Sequence, residues 1–236
     1  GDIFVAFVFV NDNFDAAVRV LPGDVWYLNF GVDYFLMEES LELYFEFAYQ
    51  DGDVHDSNFE FGAFAFNLGA EYTFVDSEVV PYIGLEITYI QGVDGTTYGF
   101  INAAGNWNRT LIAESDFFGG LWNKNWTGSG MYTGGVADPM YRGGYTGIKL
   151  TAGMKQLMND KITLDVILGF FSANGDMPAA GIDKGLGWEI DIIASYLYTE
   201  DVTFSLGFGY FDPNEDLGGA DPDAVMMAIF ACNIRF

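Results

Sequence analysis

The sequence predicts an all-β fold: a transmembrane, antiparallel, up-and-down β-barrel of about ten strands, built by residues 1–236 as one domain. Three observations predict it. Apolar residues alternate with polar or small ones at period two along much of the chain, so each strand has two unlike faces. The connections are short and long by turns, as in a barrel with short turns on one side of a membrane and long loops on the other. Aromatic residues, 18% of the chain, gather at the ends of the alternating segments, where interfacial girdles lie.

The elements follow in order. Segment 2–10 contains Ile3 to Val10, an apolar run of eight residues, far short of the roughly 20 a membrane helix needs. It carries no alternating charge, and it leaves open that the chain is part of a larger barrel. Segment 24–37 sets Trp26, Leu28, Phe30, Val32 and Tyr34 against Asp33. Segment 40–50 sets Leu41, Leu43, Phe45, Phe47 and Tyr49 against Glu42, Tyr44, Glu46 and Ala48. Segment 58–75 carries Glu60 and Glu71 on its polar face, with a register slip and a bulge expected at Gly62-Ala63. Segment 79–91 opposes Ile83, Leu85, Ile87 and Tyr89 to Glu86.

Segment 145–158 opposes Ile148, Leu150, Ala152 and Met154 to Lys149 and Lys155. Segment 161–172 opposes Ile162, Leu164, Val166, Leu168 and Phe170 to Asp165. Segment 186–199 opposes Trp188, Ile190, Ile192, Ala194 and Tyr196 to Glu189 and Asp191. Segment 201–211 presents Val202, Phe204, Leu206, Phe208 and Tyr210. Segment 223–236 presents Met226, Ala228, Phe230, Cys232, Ile234 and Phe236, with Arg235 opposite. The turns near 37–40, 76–78, 159–161 and 199–201 are short; the links 11–23, 51–57, 93–144, 173–185 and 212–222 are longer.

Segments of this length exceed the five or six residues common in globular strands, and about 9–11 suffice to cross a membrane at a tilt. With the apolar face toward lipid, the polar face lines the interior. The inward charges are then Asp33, Glu42, Glu46, Glu60, Glu71, Glu86, Asp165, Glu189 and Asp191 against Lys149, Lys155 and Arg235, nine acidic to three basic. Trp26, Tyr49, Phe59, Tyr89, Trp188 and Tyr210 fall near the outer rim, and Tyr34, Tyr72, Phe74, Tyr196, Tyr198 and Phe236 near the inner one.

Composition removes other classes. The chain has 34 acidic and 9 basic residues, a net charge of −25, which argues against a nucleic-acid partner. One Cys excludes a disulfide framework and Cys-cluster metal sites, and one His excludes a His-Glu-x-x-His zinc motif. No cofactor or metal is expected. No charged start followed by an apolar core marks a signal peptide, so a mature or trimmed chain is expected.

The terminal stretch Ala231-Cys232-Asn233-Ile234-Arg235-Phe236 resembles the C-terminal signal of bacterial outer-membrane barrels. That resemblance implies recognition of Phe236 by the barrel assembly machinery, a Gram-negative outer-membrane location, and contact with outer-membrane lipid and lipopolysaccharide. Gly185 to Asp191, Tyr196 and Leu206 to Pro213 resemble the closing strands of alginate-export-type porins, over roughly the last 55 residues. This second resemblance implies passage of a solute through a barrel. An acidic interior does not suit a polyanion, so only the architecture is carried over.

The 93–144 loop holds Trp107, Trp122, Trp126 and Tyr132 among many aromatics, and is expected to act as a constriction, a plug or a binding surface. The leading expectation is a porin-like channel for small hydrophilic solutes or ions. Glu42, Glu46, Glu60, Glu86, Asp165, Glu189 and Asp191 would give it a weak cation preference, with Lys149, Lys155 and Arg235 facing them. An interlocked polar interior points instead to a non-conducting structural or interaction barrel, whose 93–144 loop would bind a partner protein or surface glycan, or whose lipid face would meet another barrel in a homo-oligomer. Asp53-Val54-His55 resembles the Asp-x-His pair of the omptin proteases, also ten-stranded outer-membrane barrels, which implies a third class, a hydrolase using His55. A non-enzyme is the expectation.

Overall fold

A computed structural model of the chain describes residues 1–12, 23–54, 60–92, 97–98, 110–111, 145–174, 185–214 and 223–235. Ten long strands follow one another: β1 (Asp2–Asp12), β2 (Gly23–Leu36), β3 (Leu41–Val54), β4 (Glu60–Thr73), β5 (Pro81–Ile90), β7 (Tyr145–Leu157), β8 (Ile162–Ala173), β9 (Gly185–Thr199), β10 (Val202–Pro213) and β11 (Val225–Ile234). A two-residue strand, β6 (Thr97–Tyr98), lies between β5 and β7 and pairs parallel with Glu60–Phe61 of β4. Every long strand pairs antiparallel with its sequence neighbours, in the order β1-β2-β3-β4-β5-β7-β8-β9-β10-β11. Among the described residues, β1 and β11 each pair on one side only.

The strands form for the reason the alternation implies, and the pleat sorts the side chains. Gln50, Thr88, Lys149, Glu189 and Asp191 are all 0% exposed, while Leu206 is 61% and Phe230 70% exposed. Leu28, Phe30, Leu68, Leu85, Leu150, Phe170 and Ile192 share the exposed face. The buried face therefore carries the polar and charged side chains, together with apolar ones such as Ile167, Phe171, Phe211 and Met227. A protein folded for water does the reverse, because exposing large apolar side chains forfeits about 1.5–3 kcal/mol apiece.

Rings gather near both ends of the exposed face. Trp26 packs on Tyr49 at 5.5 Å, Tyr89 on Phe64 at 5.2 Å and Trp188 on Tyr210 at 5.5 Å toward the long-loop end. Tyr72 packs edge-on to Phe74 at 4.8 Å, and Tyr198 on Phe204 at 5.9 Å, toward the short-turn end. Two of the short turns are built alike. Met37-Glu38-Glu39 and Met158-Asn159-Asp160 each run three residues in the left-handed region without a glycine. Each therefore holds residues in a conformation that costs a non-glycine side chain about 1–2 kcal/mol.

Two expectations are corrected. The β3–β4 register runs unbroken from Asp53↔Glu60 to Leu41↔Tyr72, so there is no slip at Gly62-Ala63. The irregularities fall instead at Met154/Leu157, Phe171/Ser172 and Val202/Thr203. β3 also continues to Val54, which takes Asp51 and Asp53 out of the loop and into the strand.

Candidate functional site

The buried face of the sheet is the candidate site. Strand register lines up one residue from each long strand in a single row: Asp2, Asp33, Tyr44, Gly69, Glu86, Lys149, Gly169, Glu189, Phe211 and Val225. Directly opposed residues in neighbouring strands lie about 4.5–5.5 Å apart, close enough for side chains to meet. Within this row Lys149 Nζ is 2.5 Å from Glu86 Oε1, with both side chains buried. Tyr44 Oη donates to the other oxygen, Glu86 Oε2, at 2.7 Å. Tyr44 reaches across β4 because Gly69 has no side chain there: a Cβ on Gly69 would collide with the Tyr44 ring. Thr88 Oγ1 stands 3.1 Å from Asn67 Oδ1 and 3.5 Å from Glu86 Oε1.

The same device recurs nearer the short turns. Tyr82, Gly153 and Asp165 are directly opposed on β5, β7 and β8. Tyr82 Oη donates to Asp165 Oδ1 at 2.5 Å, with its ring lying over Gly153. Lys155 Nζ contacts Glu71 Oε1 at 2.6 Å, donates to Thr73 Oγ1 at 3.1 Å, and stands 5.1 Å from the Tyr82 ring centre. Twice, then, a tyrosine crosses a glycine to hold a carboxylate two strands away. Both lysines are already engaged by carboxylates.

The long loop enters this face at two described residues. Leu111 N–H donates to Asp191 Oδ2 at 2.9 Å. Thr110 is buried, and its Cγ2 lies 3.4 Å from where a Cβ on Gly169 would stand. Leu111 Cδ1 lies 2.9 Å from the corresponding point on Gly207. Glycines on β8 and β10 thus leave the space that Thr110 and Leu111 occupy, and an aspartate on β9 holds the Leu111 N–H.

The expected site residues divide accordingly. Glu42, Glu46, Glu86, Asp165, Glu189, Asp191, Lys149 and Lys155 all lie on the inward set of their strands. Glu60 does not. With no slip in β4, the buried residues are Ala63, Ala65 and Asn67, and Glu60 falls on the opposite, outward set, exposed at the long-loop end. Arg235 is exposed just past the end of β11, its backbone N–H on Asp201 O at 2.9 Å. His55, Trp107, Trp122, Trp126, Tyr132 and Phe236 lie outside the described residues. Sequence reasoning missed the tyrosine–glycine–carboxylate rows. The short turns 37–40 and 74–80, which fix the registers of β2–β3 and β4–β5, were the signal that could have found part of them.

No protein-family model matches the chain, and no curated protein matches it. Among solved structures, the outer membrane protein OprD from Pseudomonas aeruginosa is similar, with a TM-score of 0.51 at 13% identity. The match covers 89% of this chain and 52% of that one, so the chain spans about half the length of the solved protein. The likeness supports the β-barrel fold. The resemblance of the closing strands to alginate-export-type porins finds no support in these comparisons.

Proposed function

We propose that the chain forms a porin-like outer-membrane channel for small hydrophilic solutes or ions. The observation that carries this reading is the inverted sorting of side chains: apolar residues exposed to the surroundings, charges buried inside, and a loop residue hydrogen-bonded to an interior aspartate. The OprD-like fold supports it. Thr110 and Leu111 serve as part of the constriction, held by Asp191. Glu42, Glu46, Asp165 and Glu189 contribute to the negative field of the inward face, which Lys149 and Lys155 offset at Glu86 and Glu71. The cation preference is accordingly weak.

In this reading outer-membrane lipid and lipopolysaccharide surround the aromatic rims, the assembly machinery reads Phe236, and no catalytic role is assigned. The test is single-channel conductance of the refolded chain in a planar bilayer under a salt gradient. Steady conductance with a cation-selective reversal potential is expected.

A second reading is favoured by one observation. Lys149, Glu189 and Asp191 are fully buried, and Glu86 nearly so, as in a packed interior rather than an open passage. In that reading the barrel does not conduct and serves as a structural or interaction protein. Electrical silence, with heat-modifiable gel migration showing a folded barrel, would favour it over the channel.

A further inference from the structure

The sheet ends in two strands unlike the rest. Among the described residues, β1 and β11 each pair on one side only, and not with each other. Each of the eight long strands between them turns at least one hydrogen-bonding side chain inward. The edge strands instead carry unbroken apolar runs, Ile3 to Val10 and Val225 to Cys232. On β1, Phe4 and Ala6 share the inward set with Asp2, and Ile3, Val5 and Phe7 the outward one. On β11, Met227, Ile229 and Ala231 are inward, and Met226, Phe230 and Cys232 outward. Phe4 is 44% exposed although it stands on the inward set.

An open edge cannot stand in hydrocarbon, because lipid offers nothing to its unpaired N–H and C=O groups. Another strand must cover each edge. The shape of the sheet indicates where that strand comes from. The likeness to OprD takes in 89% of this chain and 52% of that one, so these strands follow about half the wall of a larger barrel. A second copy supplies the other half.

Only one way of joining two copies keeps the fold's orientation. Setting β1 beside β1, or β11 beside β11, either inverts one copy across the membrane or turns its polar face to lipid. Setting β1 beside β11 does neither. β1 starts and β11 ends at the short-turn end, so the two are antiparallel when both copies stand the same way up. The charges agree. Asp2 is exposed at that end on the inward set, and Arg235 is exposed there, two residues beyond inward Asn233. Neither is in an ion pair among the described residues. Opposing Asp2 to Arg235 of the second copy sets Ala6 opposite Ala231 inside and Val5 opposite Cys232 outside.

We propose that a second copy of this chain closes the barrel, β1 of each copy pairing with β11 of the other about a twofold axis along the barrel. The wall then has twenty long strands, ten from each copy. Barrels approaching that size enclose an aqueous channel.

Disulfide trapping tests this on the full-length chain. Val5→Cys/Cys232→Ala protein and unmodified protein are mixed unfolded, refolded together into vesicles and oxidised. A covalent dimer on a non-reducing gel is expected from the mixture and from neither protein alone. Phe4→Cys/Cys232→Ala, displaced to the inward set, should give none. Asp2→Arg in the Val5→Cys chain should lower the yield about two- to fivefold, and Arg235→Asp in the other chain should restore it. A disulfide within single chains of Val5→Cys protein that keeps Cys232, or free thiols in every folded mixture, would overturn the proposal. If the cysteine variants do not fold, sedimentation of the unmodified protein in density-matched micelles decides: the mass of two chains is expected, and the mass of one overturns it. Conductance is a separate readout. A silent two-chain barrel ends the channel reading and leaves this proposal standing; a conducting barrel of one chain does the reverse.

Discussion

Replacing Lys149 by Met tests whether the buried row around the barrel is a closed electrostatic unit. Lys149 is the cation opposed to Glu86, at 2.5 Å, with both side chains out of contact with solvent. Met matches the stem of Lys in length and removes only the ammonium. Glu86 then keeps its hydrogen bond from Tyr44 Oη at 2.7 Å but loses its counter-charge. Leaving one partner of a buried pair uncompensated costs about 3–5 kcal/mol. The double variant Lys149→Met/Glu86→Gln keeps an acceptor for Tyr44 and buries no net charge, so most of that loss should return, leaving a cost of about 1 kcal/mol.

Adding Glu86→Gln to Lys149→Met should therefore restore about 2–4 kcal/mol. Equilibrium urea unfolding in lipid vesicles, followed by tryptophan fluorescence, reads it. With a slope of about 2–3 kcal/mol per molar urea, Lys149→Met should lower the midpoint by about 1–2 M. A shift below about 0.3 M, with no recovery in the double variant, would mean a solvated pair of the kind worth under about 1 kcal/mol and would refute the packed row.

Other predictions follow from the same geometry. Gly69→Ala should cost about 1–3 kcal/mol in the same unfolding assay, because its Cβ expels the Tyr44 ring and removes the Glu86 hydrogen bond; Gly69→Ala in a Tyr44→Ala background should recover most of it. Leu150→Arg, mid-strand on the exposed face, should cost about 2–4 kcal/mol if that face meets hydrocarbon, and near zero if it meets water. Asp191→Ala removes the acceptor of the Leu111 N–H and should raise single-channel conductance; an unchanged conductance would mean Leu111 does not narrow the passage.

Much of the fold was legible in the sequence because alternation at period two is a local property. The bounds 145–158 and 186–199, read from hydropathy, differ from β7 and β9 by a single residue. The β3 end was misread because Asp51-Gly52-Asp53 has the composition of a turn. Such residues sit comfortably in a strand whose end rises beyond the apolar band into water. The Glu60 assignment failed for a related reason: Gly62 and Ala63 are too small to declare a face, so the parity of β4 could not be carried past them.

The polar face was legible as a set but not as contacts. The pairing of Lys149 with Glu86 depends on the β5–β7 register, and β5 and β7 are joined through the long 93–144 loop, whose length fixes nothing. The placement of Leu111 was illegible too. Trp107, Trp122 and Trp126 drew attention within that loop, while the contact to Asp191 is made through a backbone N–H, which no side-chain pattern reveals.

The central claim is that the apolar face meets lipid and the polar face does not. The most direct measurement is quenching of a fluorophore by brominated acyl chains, with single labels at Leu150, Thr151, Ile167 and Leu168 in a Cys232→Ala background. Leu150 opposes Leu168 on the outward set, and Thr151 opposes Ile167 on the inward one. The account predicts strong quenching at Leu150 and Leu168 and little at Thr151 and Ile167, although Ile167 is as apolar as its neighbours. Quenching that follows hydrophobicity rather than parity, or that is absent at all four, would contradict it.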